Sequence, residues 1–174
     1  MKSLNTLQTL SRLGRVLSKI AFVCSLVGFC GCIAGIVSVV LQDENVIRIG
    51  GVTLHGILEK TGRYNDRELI AAMSAWLIVC AGEAVIARFA QIYFWNEIKR
   101  GTPFTDDGAD ELKRLGIITL AVSLGCSALA EAVQELVAGS VGMVSFEGGT
   151  SAALGIMFIV GSVMCRYGAE ACKV

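Results

Sequence analysis

From Ile20 to Leu41 the chain runs for 22 residues without one charged side chain. A helix of about 20 apolar residues, rising about 1.5 Å per residue, matches the ~30 Å hydrocarbon core of a bilayer. Coiling as a helix also bonds every backbone polar group within the segment, which the bilayer interior demands. The run is longer than the 7–15-residue apolar region typical of a cleaved signal peptide, and no A-x-A site follows it. It reads as an uncleaved membrane span.

Three more apolar stretches follow, at about 69–95, 115–137 and 150–166. Hydrophobic residues make up 54% of the chain and charged ones 17%, against roughly 45–50% and 25% in an ordinary soluble domain. A single Pro among 174 residues points to long helices. The expected fold is all-α: an integral membrane bundle of four transmembrane helices, forming one membrane domain over 1–174. The second span is the weakest. Its ten Leu, Ile, Val and Phe residues favour insertion by roughly 0.3–0.6 kcal/mol each, whereas Glu83 and Arg88 oppose it by about 2.5–3.5 kcal/mol each. Those sums nearly cancel, so this helix depends on its neighbours.

Lys2, Arg12, Arg15 and Lys19 precede the first span with no acid among them, while Leu4, Leu7, Leu10, Leu13 and Leu17 recur at three and four residues. That spacing predicts an amphipathic N-terminal helix lying at the membrane surface. The connection between the second and third spans adds Lys99, Arg100, Lys113 and Arg114, whereas the loop 42–68 sets five acids against its four basic residues. By the positive-inside rule both termini lie in the cytoplasm. Two outer segments have strand character. Val46–Ile49 and Val52–Leu54 flank Gly50-Gly51, and Met143–Phe146 lies between glycines, so a small extracellular β-ribbon is open.

Few residues carry chemistry. Basic and acidic residues number 15 each, which gives no case for direct nucleic-acid binding. The seven cysteines are odd in number and form no CxxC, and they read as small packing residues. No metal-ligand spacing, cofactor motif or nucleophile–base arrangement is present, so the chain reads as a non-enzymatic protein. Glu83 is the first candidate, about 20 Å below the outer boundary of the core by helical rise. In the third span Thr119, Ser123, Ser127, Glu131 and Glu135 fall at steps of four, a polar stripe that lines a small cavity or bonds neighbouring helices. Gly31 and Gly35 form a GxxxG, a close-packing face within the bundle or between copies of the chain.

The inner connection is the most legible segment. Thr105 is a fair N-cap, Asp106 and Asp107 suit the positive start of a helix, and Asp110 and Arg114 are spaced to pair. A short cytoplasmic helix is therefore expected to run directly into the third span. Phe104 stands alone in a polar stretch, and with Asp106, Asp107, Asp110 and Glu111 it makes a candidate docking surface for a cytoplasmic protein.

Gly101-Thr102-Pro103-Phe104-Thr105 and Leu112-Lys113-Arg114-Leu115-Gly116, with the closing Cys165-Arg166-Tyr167-Gly168-Ala169-Glu170, resemble the YoaS-like family of small bacterial membrane proteins, a family of unknown function. In the closing pattern Ala171 stands where the family has Leu. The resemblance implies a bacterial cytoplasmic membrane and a helix-turn-helix regulator as the partner, but no site residues. Two functions stay open: a membrane regulator or sensor acting through a cytoplasmic partner, and a small transporter or ligand-binding bundle using Glu83 and the third-span stripe.

Overall fold

The structure, a computed structural model, describes residues 2–41, 48–49, 52–53, 66–100, 105–139 and 149–171. Four long helices dominate it: α1 (Lys2–Leu41), α2 (Asp66–Arg100), α3 (Asp106–Ala138) and α4 (Gly149–Ala171). Each contains a stretch long and apolar enough to cross a membrane, namely Ser11–Leu41, Arg67–Arg100, Asp106–Ala138 and Ser151–Glu170. Even α4, at 23 residues, extends about 35 Å and exceeds the ~30 Å core.

Two expected details come out differently. The N-terminal amphipathic helix is not a separate element, because α1 runs unbroken for 40 residues. Nothing between Lys19 and Ile20 stops a helix: there is no Pro and no glycine pair, and an existing helix propagates easily. The polar helix expected before the third span runs directly into it and forms the first turns of α3. Its N-cap forms as expected, with the Gly108 amide donating to Thr105 Oγ1 at 3.0 Å. Of the outer ribbon, the described part is a two-residue hairpin, β1 (Arg48–Ile49) antiparallel to β2 (Val52–Thr53). That is too short to constitute a ribbon, and Met143–Phe146 lies outside the described residues.

The chain divides into two compact units. One comprises Met1–Cys24, Gly82–Gly125 and Glu147–Val174, the other Ser25–Ala81 and Cys126–Phe146. Within both, the usual sorting of side chains is inverted. Apart from Tyr93, Leu112, Leu115 and Gln134, the buried positions are small, among them Ser11, Ser18, Ser25 and Ser38 on α1, Ala71, Ala75, Ala87 and Ala90 on α2, Thr119, Ser123 and Ala130 on α3, Ser162 and Ala169 on α4. Large aliphatic side chains face out, as Val27 at 67%, Met157 at 68% and Leu136 at 85% exposure illustrate. A protein in water gains by burying such groups, so this pattern suits a surface bathed in lipid, where small residues let helix backbones approach and the hydrophobic effect no longer drives packing.

In the first unit α3 and α4 cross closely at a pair of glycines. A Cβ on Gly116 would lie 2.8 Å from the Gly155 carbonyl oxygen and 2.7 Å from Ile159 Cγ1, and one on Gly155 would lie 3.0 Å from the Gly116 oxygen. Only hydrogen fits there. The expected GxxxG is different: Gly35 is buried, but Gly31 has open space around it. In the second unit Gly28 sits beneath the Cys80 sulfur, 3.0 Å from where its Cβ would be.

Candidate functional site

One end of the first unit holds a polar network that ties three helices. Trp95, near the end of α2, receives the Arg15 guanidinium of α1 at 3.9 Å from its ring centroid and the Lys99 ammonium at 4.9 Å. Lys99 is one helical turn beyond Trp95, the spacing at which side chains meet. Each such contact is worth about 0.5–1 kcal/mol at an exposed site. Phe94, the preceding residue, lies across Gly14 so closely that a Cβ there would be 2.6 Å from the ring. Gln91 Nε2 donates to the Ser18 carbonyl at 3.2 Å, and Ser11 hydrogen-bonds the Glu97 carboxylate. The α1 backbone is thus gripped over successive turns of α2.

The α2–α3 connection is closed by Glu111. Arg100 Nη2 donates to Glu111 Oε1 at 2.8 Å, and Asn96 Nδ2 lies 3.3 and 3.4 Å from its two oxygens. Beneath it Ala90, Tyr93, Leu112 and Leu115 form a small core, bordered by Phe94, Phe158 and Cys165. Tyr93 and Phe94 meet edge to face at 5.3 Å.

This changes the expected docking surface. Glu111, its side chain 32% exposed, is engaged by α2, a pairing between residues 11 apart that no local spacing signals. Asp106, Asp107 and Asp110 are exposed as a docking face needs, and Phe104 lies outside the described residues. Asp110 and Arg114, both described, do not close their i,i+4 pair. Arg114 instead lines a cavity between α2 and α3.

The intramembrane polar residues fare unevenly. Glu83, the middle residue of α2, is exposed and has no polar partner among the described residues. Arg88 donates to Gln91 Oε1 at 3.2 Å on the exposed surface. Along α3 the stripe does not hold one face. Thr119 and Ser123 are buried, Ser127 is half-buried, and Glu131 and Glu135 are exposed. Each step of four residues turns about 40° past a full circle at 3.6 residues per turn, so four steps swing it about 160°. Thr119 donates to its own helix, at Leu115 O, 2.8 Å away.

Sequence reasoning missed Gln134. It is 3% exposed, and its Nε2 has no acceptor among the described residues. The signal was present: Gly116, Ser123 and Ala130 recur every seven residues, and Gln134 extends that side by one turn. Of the cysteines, Cys24 and Cys30 are exposed rather than packed, whereas Cys32 and Cys80 hydrogen-bond each other in the second unit.

Compared with protein-family models, with curated proteins and with solved structures, the chain has no match.

Proposed function

We propose that the chain is a non-enzymatic, four-pass protein of a bacterial cytoplasmic membrane, with both termini in the cytoplasm, that regulates or senses by holding a cytoplasmic protein. The network around Trp95 and Glu111 carries this reading. It braces α1, α2 and α3 against one another at one end, while Asp107 and Asp110 remain exposed beside it. A rigid, multi-helix end presenting fixed charges suits recognition better than anchoring alone. Arg12, Arg15, Lys19, Lys99, Arg100, Lys113 and Arg114 all belong to the same unit, and the positive-inside rule makes that end cytoplasmic. The resemblance to YoaS-like proteins names a helix-turn-helix regulator as the partner class.

Crosslinking in native membranes tests it. Replacing Asp106, Asp107 and Asp110 with Asn leaves the Glu111 network untouched and should abolish the crosslink to the regulator while the protein still accumulates. Equal crosslinking by the variant would refute the docking reading. The alternative, a small transporter built around Glu83, is favoured by one observation: a carboxylate at the midpoint of α2 is exposed. Such a residue at mid-membrane is costly to keep without use. The outward turn of the α3 stripe counts against a continuous polar path.

A further inference from the structure

Between α2 and α3, within the first unit, lies a cavity of about 190 Å³. Its walls change character along the helix axes. Asn96, Glu111 and Arg114 line one end and Phe89, Ile92 and Ile118 the other, with Tyr93 and Leu115 between them along the helices. Asn96 to Phe89 and Glu111 to Ile118 are each seven residues, about 10 Å of rise. Because Asn96 bonds Glu111, the polar ends of both walls coincide. That end lies close to the last residue of α2, Arg100, and the first of α3, Asp106, and the apolar end lies deeper along the helices. The order is headgroup, then hydrocarbon.

The charge at the polar end is uneven. Glu111 is neutralised by Arg100 at 2.8 Å and further held by Asn96. Arg114 is exposed and makes no ion pair among the described residues. An open cavity is thus left with one guanidinium unpaired among the described residues at its polar end and an apolar wall beyond it. A guanidinium presents paired N–H donors that match two oxygens of a phosphate.

We propose that this cavity binds one anionic phospholipid, its phosphate on Arg114 and the start of an acyl chain along Phe89, Ile92 and Ile118. The volume takes the phosphate and the first methylenes, and the rest of the lipid stays in the bilayer. A free phosphate would leave the apolar wall unused, and a zwitterionic lipid would bring a second positive charge toward Arg114. The proposal rests on the helices crossing a membrane, but not on the cytoplasmic partner.

Native mass spectrometry of the full chain in detergent, titrated with phosphatidylglycerol, phosphatidylcholine or inorganic phosphate, tests it. One phosphatidylglycerol should be retained at about tenfold lower concentration than phosphatidylcholine, the order of one like-charge repulsion between choline and Arg114 near a protein surface. Arg114→Gln should remove that preference. Ile118→Trp, which fills the apolar end and keeps the charge, should remove it too. Lys113→Gln, the same charge change on an exposed neighbour outside the cavity, should keep it. Equal preference in wild type and Arg114→Gln would overturn the proposal, as would equal loss in Lys113→Gln. Displacement of the lipid by inorganic phosphate at similar concentration would reassign the site to a free anion. Failure of the membrane reading would show earlier, as protein recovered soluble without detergent.

Discussion

Gly116→Ala is the smallest change that challenges the packing described above. The added methyl would meet Ile159 Cγ1 at 2.7 Å, the Gly155 carbonyl oxygen at 2.8 Å and the Ile159 amide nitrogen at 3.0 Å. Two of those three atoms are backbone and cannot swing away, so α3 and α4 must separate locally. Overpacking of this kind costs about 1–3 kcal/mol. Against it stands the helix-forming advantage of Ala over Gly, up to about 1 kcal/mol. The balance is a destabilisation of up to about 2 kcal/mol. For a chain of this size each kcal/mol moves the midpoint about 2–4 °C, so thermal unfolding in detergent micelles, followed by circular dichroism, should show a loss of up to about 8 °C. Gly31→Ala and Gly125→Ala supply the comparison, since among the described residues no neighbour beyond the local helix backbone lies within 4 Å of either added methyl. Those should be neutral or slightly stabilising. Adding Gly155→Ala to Gly116→Ala should cost less than the sum of the two, because the helices have already parted. If Gly116→Ala unfolds at the same temperature as Gly31→Ala, the close crossing of α3 and α4 is wrong.

Other perturbations have equally definite outcomes. Gln134→Leu removes a buried donor with no acceptor among the described residues, so it should be neutral or stabilising by about 1 kcal/mol in the same unfolding experiment; a clear loss of stability would mean the amide has a partner. Glu111→Gln weakens a pair whose side chains are 33% and 32% exposed, so it should cost only about 0.2–1 kcal/mol, and the difference from wild type should shrink in high salt. Glu83→Gln breaks no hydrogen bond or ion pair among the described residues and should leave stability within about 0.5 kcal/mol of wild type. If it instead abolishes a pH-dependent flux in reconstituted vesicles without loss of protein, the transporter reading displaces the regulatory one.

The spans were legible because length and apolarity are read directly from residue order. Their ends were not, since hydropathy marks where a helix meets water and not where its hydrogen bonding stops. Hence α1 begins at Lys2 rather than Ile20, and α2 ends at Arg100 rather than Trp95. Thr105 was legible because a cap acts on amides a few residues away. The buried faces were harder to see. The leucine spacing before Lys19 drew attention to one side of α1, yet Leu13 and Leu17 are exposed at 53% and 56% while Ser11 and Ser18 are buried. Small polar residues at seven-residue spacing were the better guide, as a lipid environment predicts. The Glu111 network was hidden for another reason: it depends on how α2 and α3 meet, and no periodicity within one helix encodes that. For Glu131 and Glu135 the four-residue repeat was real, but 3.6 residues per turn carries it off the buried face.

The central claim is that four helices cross the membrane with both ends of the chain inside. Cysteine accessibility in intact cells measures this directly, starting from a variant in which all seven cysteines are replaced. Lys60→Cys and Glu147→Cys should react with a membrane-impermeant thiol reagent added outside, and Asp107→Cys should react only after the cells are permeabilised. Labelling of Asp107→Cys in intact cells, or opposite behaviour of Lys60→Cys and Glu147→Cys, would contradict the four-span arrangement.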